Sequence, residues 1–244
     1  MSVMLMVLAA AYGAAAGLLI PRPAHRMAVG PEEEWRSACP AGHPIGGPAG
    51  GWLGRGRCPR SGCGAYGPGA AVTAAVTALS CTALAAATGA RPELAVWLLM
   101  APVAVLLTVV DWRVHRLPDV LTLPLAAAAA GALYLVARLT GESGAFWRAL
   151  LGGLALGACY LLLFVVNPAG IGLGDVKLAI GLGIALGWYG WHAVATGGAA
   201  GVLTGALYGV GLMWARRGGA KVMPLGPFMI LGAFGALLLG AAAA

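Results

Sequence analysis

The segment Gly172-Leu173-Gly174-Asp175-Val176-Lys177 places a carboxylate and a lysine at the start of an apolar run, directly after two glycines. The chain has only eight acidic residues in 244, so a carboxylate beside an apolar run is an unusual feature. A charged group at the centre of a membrane helix costs about 2.5–3.5 kcal/mol, and such groups usually have a function. Asp111, at the end of an earlier apolar run, is a second carboxylate of this kind.

The composition around these two carboxylates is that of a membrane protein. Sixty per cent of the residues are hydrophobic, 9% are charged, and the mean hydropathy is +0.87. These values exclude an ordinary soluble domain and predict an all-α, polytopic protein whose partner is the lipid bilayer. The net charge of +7 is spread over short loops. This spread fits the positive-inside rule, so we expect no nucleic-acid partner.

The apolar runs predict a bundle of eight transmembrane helices and divide the chain into three parts. Residues 1–20 form a first helix; positive charge follows this run and does not precede it, which favours a retained helix over a signal peptide. Residues 21–69 form a polar, Cys-containing loop, and residues 70–244 form the main membrane domain. The remaining predicted helices lie near 70–89, 94–110, 119–137, 147–166, 176–190, 192–214 and 224–243.

The basic residues predict the orientation of this bundle. With the N-terminus outside, twelve of the fifteen Lys and Arg residues fall in inside loops. Such a bias is the signature of cytoplasmic loops. Three of the twelve are Arg216, Arg217 and Lys221. This orientation puts Asp111, Asp119 and Asp175 near the cytoplasmic face.

Asp111 and Asp175 form a candidate catalytic pair, because helix ends on one side of a compact bundle can meet. Two carboxylates that meet cannot both ionise at low cost, so one keeps a proton. The ionised group can activate water, and the protonated group can polarise a scissile carbonyl. Gly172 and Gly174 lack a Cβ and could admit a substrate backbone beside Asp175. Lys177 either supports the pair or the substrate, or anchors the helix at the membrane surface.

A purely structural role is the alternative for each aspartate. Asp is a common helix N-cap, and this fits Asp119, which follows Pro118 and opens the fourth helix. It fits Asp111 poorly, because an anion is disfavoured at the C-terminal end of a helix. Asp175 would serve as a cap if it stood alone, but the pairing with Asp111 favours a functional role.

Three motifs in order resemble those of a known family, the type IV prepilin leader peptidases. Gly172-Leu173-Gly174-Asp175-Val176-Lys177 resembles the family's G-x-G-D-x-K motif. Asp111, with Leu117-Pro118-Asp119 and Leu121-Thr122-Leu123-Pro124, resembles its first aspartate motif. Pro224-Leu225-Gly226-Pro227-Phe228 resembles the late P-[FL]-G-P-[FY] motif before the last helix. The resemblance covers roughly residues 70–240.

The resemblance implies an aspartic endopeptidase of the bacterial plasma membrane, with Asp111 and Asp175 as its catalytic residues. Its substrates would be type IV prepilins or type II secretion pseudopilins, cut at the cytoplasmic end of their hydrophobic helix, usually after a glycine. Proteolysis of this kind needs no cofactor. Many members also methylate the new N-terminus with S-adenosylmethionine, and the sequence leaves this second activity open.

Two other functions remain open at this point. Presenilin-like and signal-peptide-peptidase-like enzymes share the G-x-G-D signature, but they carry Tyr-Asp and Pro-Ala-Leu motifs where this chain has Val110-Asp111 and no Pro-Ala-Leu. A small ion-coupled transporter would also use two membrane carboxylates, though near the bilayer midplane on broken helices. The motifs rank the prepilin peptidase first.

The polar loop contains a candidate zinc site. Cys39 and His43 are followed by Cys58 and Cys63, four ligands of the kind that bind structural zinc tetrahedrally. A reducing cytoplasm favours metal binding over a disulfide. This loop resembles that of full-length prepilin peptidases, which carries two C-x-x-C pairs. The spacings here differ from that pattern, because Cys39 pairs with His43 and Cys58 with Cys63 at longer intervals. The alternative is a loop with three inert thiols and an unrelated histidine.

Overall fold

The computed structural model describes residues 2–30, 32–60, 63–168, 170–215 and 224–244. Arg216, Arg217 and Lys221, three of the predicted inside charges, lie outside the described residues. Within them the chain forms α-helices and, besides these, two isolated β-bridges. The helices are α1 (Ser2–Gly17), α2 (Pro21–Met27), α3 (Pro48–Gly51), α4 (Ala70–Thr88), α5 (Leu94–Val114), α6 (Asp119–Thr140), α7 (Ser143–Val166), α8 (Leu173–Tyr189), α9 (Trp191–Ala215) and α10 (Gly226–Ala243).

The all-α, polytopic architecture predicted from the sequence is confirmed. A long helix lies at each of the eight predicted segments, as α1 and α4 to α10. Six of the described helices, namely α4 to α7, α9 and α10, are long and apolar enough to cross a membrane. The pair α1 and α2, bent by 42°, would make a seventh span. Helix α8 has 17 residues and therefore reaches about 26 Å, slightly less than the hydrocarbon core of a bilayer.

The chain folds as two compact units, Met1–Val114 and His115–Ala244. In the first unit α1 packs along α4, and α5 packs against α1, α2 and α4. Gly17 of α1 lies so close to α4 that a Cβ there would be 2.5 Å from the carbonyl oxygen of Thr73. The Thr77 hydroxyl donates to the Thr73 carbonyl at 2.7 Å. Threonine therefore satisfies its own hydroxyl inside an apolar helix.

The polar loop of the first unit is held by side chains of α2. The Arg22 guanidinium donates to the carbonyl oxygens of Gly46 and Leu53 at 2.9 and 3.0 Å. Arg26 donates to the carbonyl oxygen of Gly50 at 3.0 Å and stacks over the Trp52 ring at 4.0 Å. The loop thus gains fixed contacts with α2 although it contains little regular secondary structure.

The second unit is built around α8. Helices α6, α7, α9 and α10 all pack against it. Its residues from Gly181 to Trp188 are all buried. A helix that is apolar on every side is expected to be surrounded by protein or lipid, and here four other helices surround it. The short length of α8 is therefore compensated by protein neighbours.

Glycines make the contact between α7 and α8 close. A Cβ on Gly152 of α7 would lie 2.7 Å from the carbonyl oxygen of Gly183 on α8. One on Gly157 would lie 2.6 Å from the Ile180 side chain. Membrane helices use small residues in this way, because backbone proximity gives the van der Waals contact that association in lipid requires.

This packing generates a testable prediction. Gly183→Val should destabilise the protein, because the added side chain meets backbone of α7, and overpacking typically costs about 1–3 kcal/mol. Gly131→Val in α6 is the matched control, since a Cβ there meets no atom of the described part of the chain within 4 Å. Thermal unfolding in detergent measures both variants. Equal transition temperatures for the two variants would contradict the packing described here.

Candidate functional site

Asp175 lies at the third position of α8, where its backbone and side chain both bind the residue before the helix. Its carboxylate accepts a 2.8 Å hydrogen bond from the backbone N–H of Gly172, and its own N–H donates to the Gly172 carbonyl at 3.0 Å. The side chain is buried, with the residue 9% exposed. The first turn of a helix favours an anion, so α8 holds this carboxylate in one place.

The two sequence motifs of the second unit contact each other through Gly174. A Cβ at Gly174 would lie 3.0 Å from the Leu117 Cβ and 3.4 Å from its carbonyl oxygen. Leu117 is buried just before α6. The missing side chain of Gly174 therefore makes room for this chain's own Leu117. Gly172 differs, because among the described residues a Cβ there would meet only the Asp175 carboxylate, at 3.5 Å, and the Gly174 nitrogen, at 3.8 Å.

Lys177 and Asp119 form an ion pair that joins α8 to α6. The Lys177 Nζ donates to the Asp119 carboxylate at 2.6 Å. Asp119 is the first residue of α6, its N-cap is Pro118, and no side chain caps this helix. The interpretation of Asp119 as an N-cap was therefore wrong. The Asp119 carboxylate pairs with the Lys177 ammonium of α8 and not with a backbone N–H of α6, because a charged group is a stronger hydrogen-bond donor than a backbone amide.

Asp111 lies in the last turn of α5, in the first unit. It is 4% exposed, and the helix continues three residues beyond it to Val114. An anion gains nothing from the C-terminal end of a helix, and burial of a carboxylate is costly. The position of Asp111 is therefore poorly explained by helix stability alone. The next residue after the helix, His115, adopts a left-handed conformation with φ of +52°.

Tyr160 of α7 is a neighbour of Asp175 that the sequence reasoning missed. It is 1% exposed, and the charge of Asp175 acts on its phenol group. The available signal was a tyrosine in the middle of an apolar run, Ala158-Cys159-Tyr160-Leu161. Such residues are usually assigned to packing, and only the pairing of α7 with α8 places this one beside Asp175.

The late motif lies where α10 begins. Gly226 and Pro227 are the first two residues of that helix, where proline is well tolerated. The Phe228 ring contacts the Tyr208 ring of α9 at 5.0 Å. This motif therefore fixes α10 against α9, and α10 in turn packs on α8.

The four predicted metal ligands of the polar loop come together. The ligand atoms of Cys39, His43, Cys58 and Cys63 all lie within 4.8 Å of one another. The His43 Nδ1 is 3.0 Å from the Cys63 sulfur, 3.6 Å from that of Cys58 and 3.7 Å from that of Cys39. Three thiols and one imidazole at these distances can hold a metal ion.

The thiols of this cluster influence one another electrostatically. Burial raises the pKa of Cys63 to about 11, with added contributions from Cys58 and Cys39. The pKa of Cys39 is lowered: burial raises it, but hydrogen bonds from the backbone at His43 and Ala41 outweigh that effect. Cys39 and Cys63 therefore differ in how readily they ionise. A bound cation would favour the thiolate form of all three thiols.

Helix α2 contacts the residues next to the cluster through His25. The His25 Nε2 lies 3.2 Å from the carbonyl oxygen of Ala38, the residue before Cys39. The His25 ring also packs on the Tyr66 ring, at 4.7 Å between centroids. Tyr66 in turn donates its backbone N–H to Gly56, near Cys58. Both halves of the cluster are thus connected to one helix.

Comparison with known proteins agrees with these features. The model of the type IV leader peptidase family matches residues 98–242, a range that includes Asp111, Asp175 and the start of α10. No solved structure matches the chain significantly.

Curated relatives match more than half of the chain. "Prepilin leader peptidase/N-methyltransferase" of Aeromonas salmonicida (strain A449) is 35% identical over 146 residues, covering 59% of this chain and 48% of that protein. The protein of that name from Aeromonas hydrophila is also 35% identical, covering 59% of this chain and 49% of the relative. The one from Burkholderia pseudomallei (strain K96243) is 32% identical, covering 55% and 43%. The chain thus spans about half the length of the curated relatives that it matches.

The ion pair of Lys177 and Asp119 generates a prediction about stability. Lys177→Met and Asp119→Asn should each lower the free energy of unfolding slightly, and the double variant should lose less than the sum. A coupling energy of up to about 1 kcal/mol is expected, because the pair is partly exposed to solvent. Arg138→Met, in the last turn of α6, is the control for loss of a positive charge. Strictly additive losses in a double-mutant cycle would contradict the pairing.

Proposed function

We propose that this chain, which belongs to the type IV leader peptidase family, is a membrane aspartic endopeptidase that removes the leader of type IV prepilins or pseudopilins. The family match over residues 98–242 carries this proposal. The names of its relatives support the substrate class. The six apolar helices that can cross a membrane agree with an enzyme that takes a membrane-inserted substrate.

Asp111 and Asp175 are the proposed catalytic residues. Both are buried aspartates in a chain with few acids. The ionised carboxylate takes a proton from water, which attacks the scissile carbonyl, while the protonated carboxyl polarises that carbonyl and later helps protonate the leaving amine. The reaction needs no metal and no covalent intermediate.

Gly172, Gly174 and Lys177 are proposed to shape the substrate side of this site. The open face of Gly172 beside the Asp175 carboxylate leaves room for a substrate backbone. Gly174 affects the substrate side only indirectly, because its missing side chain lets Leu117 pack against the first turn of α8. Lys177 holds the same turn through Asp119, which makes it a positioning residue for Asp175.

The family match favours this function over the two alternatives from the sequence. Presenilin-like proteolysis and ion-coupled transport both use membrane carboxylates, but neither requires the three motifs that fall in the matched range. The curated relatives carry the name of a peptidase. Their names also include an N-methyltransferase, so methyl transfer from S-adenosylmethionine is a second activity to be tested on the cleaved product.

The cellular setting is part of the proposal. The chain is proposed to lie in the bacterial inner membrane, with its N-terminus outside and its active site near the cytoplasmic face. Twelve of fifteen basic residues on one side of the predicted topology support this orientation.

The metal of the loop is proposed to be structural zinc. Tetrahedral zinc with Zn–S near 2.3 Å and Zn–N near 2.05 Å would place the imidazole nitrogen about 3.5 Å from each sulfur. The distances from His43 to Cys58 and Cys39, 3.6 and 3.7 Å, fit this geometry, and the 3.0 Å distance to Cys63 needs only a small adjustment. Zinc would cross-link the two halves of the loop and take no part in hydrolysis.

Leader cleavage tests the catalytic proposal. In nanodiscs, the wild-type protein should cleave a prepilin with a Gly–hydrophobic junction, and Asp111→Asn and Asp175→Asn should each abolish cleavage, because each removes one member of the acid–base pair. Glu142→Gln, at the exposed start of α7, is the matched control and should cleave normally. The mass of the product reports methylation. Normal cleavage by either aspartate variant would refute the paired mechanism.

Metal content tests the zinc proposal. The purified protein should contain about one zinc per chain by elemental analysis, as expected for one four-ligand site. Cys58→Ser should lose the metal and become more sensitive to protease within residues 32–60. Cys159→Ser, which alters an exposed thiol of α7, should keep it. Full zinc content in Cys58→Ser, or none in the wild type, would contradict the proposal.

A further inference from the structure

A groove lies between α7 and α9 in the second unit. It has a volume of about 570 Å³, and the described residues that line it, all from these two helices, include no charged side chain. Both helices pack on α8, and they touch each other where a Cβ on Gly198 would lie 2.7 Å from the Leu156 side chain. Cys159 and Ala199 are exposed on the two walls, so the groove is open between these residues.

The groove reaches Tyr160 of α7, whose phenol group is close enough to Asp175 for that charge to act on it. One end is at Trp191, the first residue of α9, and the other is at Tyr160, Leu163 and Leu203. Tyr160 is the buried neighbour of Asp175. From Trp191 to Leu203 the groove follows twelve residues of α9, which corresponds to about 18 Å at the rise of an α-helix.

The walls are suited to a helix. Small residues line the groove on both sides, including Ala155 on α7 and Ala195 and Ala199 on α9. Small residues allow a helix backbone to approach closely, as the glycines between α7 and α8 already do within this unit. Larger residues, Val202 and Leu203, lie beside them and can pack between the side chains of an incoming helix.

We propose that this groove binds the hydrophobic helix of the substrate, with the scissile junction at the Tyr160 end and the helix extending toward Trp191. The inference rests on the proposed function and adds the place and direction of substrate binding. An uncharged groove excludes the charged leader, because a charge inside it would be left without water or a partner. The leader therefore stays beyond Asp175, and the peptide bond between leader and helix comes to the carboxylate.

A lipid acyl chain is the competing occupant, and the position of the groove argues against it. An acyl chain gains nothing from ending beside Asp175, whereas a peptidase must bring a peptide bond to that carboxylate. Close backbone approach over small residues is also a property of helix pairs.

Two peptides and two variants test the proposal in nanodiscs. The long peptide carries a charged leader, the junction and an apolar segment of about 20 residues, enough to span a bilayer; the short peptide stops just after the junction. Ala199→Trp fills the groove. Leu207→Trp places the same side chain on an exposed position of α9 that does not line the groove.

The expected result is a change in KM for one peptide only. Ala199→Trp should raise KM for the long peptide about tenfold with kcat unchanged, the pattern of lost uniform binding. It should cleave the short peptide as the wild type does, and Leu207→Trp should resemble the wild type on both. Equal KM values for Ala199→Trp and wild type on the long peptide would overturn the proposal. If Ala199→Trp unfolds, Ala195→Leu replaces it.

A photo-crosslink tests the groove without catalysis. A benzophenone placed four residues after the junction of the long peptide should attach to α7 and α9 near Cys159 and Ala199, in the wild type and in Asp175→Asn. Adducts at Leu135, on the exposed side of α6, would overturn the proposal. A second outcome would also overturn the proposal: the crosslink to the groove is absent, and a phospholipid co-purifies with the wild type but not with Ala199→Trp. The groove would then bind lipid. If neither peptide is cleaved but the crosslink maps to the groove, the proposed function fails and the docking site stands.

Discussion

The close contact between α7 and α8 is the constraint on which the second unit depends. Lipid does not push membrane helices together, so their association requires backbones near enough for dense van der Waals contact. Glycines at 152, 157 and 183 permit that approach. With α8 fixed on one side by α7, helices α6, α9 and α10 cover the rest of its surface. This enclosure places Asp175 beside Tyr160, aligns Lys177 with Asp119, and leaves the groove between α7 and α9.

The polar loop of the first unit solves a different problem, which is how to order a segment too polar to form a hydrophobic core. Arginine side chains of α2 bind loop carbonyls, a cation–π contact fixes Trp52, and His25 supports the residue before Cys39. From the sequence, the basic residues of the inside loops predicted only the orientation of the bundle. The arginines of α2 also hold the loop in place. The four-residue Cys and His cluster can hold it a second time, because a metal bound there would cross-link its two halves.

Much of the fold could be predicted from the sequence because membrane helices are long apolar runs, and each of the eight predicted runs coincides with a helix. The metal cluster was found from ligand type and spacing, and the motifs indicated the family. The partner of Lys177, the role of Gly174 and the position of Tyr160 could not be found in this way. Each depends on which helix lies beside which, and hydropathy contains no information about neighbours. Asp119 was assigned as a cap because local sequence offers only local partners.

The short length of α8 has a consequence for how the protein is made. A 17-residue helix with Asp175 and Lys177 in its first turns and glycine at several positions is a weak signal for insertion by the translocon. Its neighbour α7 has 24 residues and is strongly apolar, so it can insert into the bilayer independently of α8. Once inserted, its glycines provide the surface against which α8 packs. We therefore expect α8, which bears Asp175, to reach its place only after α7 has inserted.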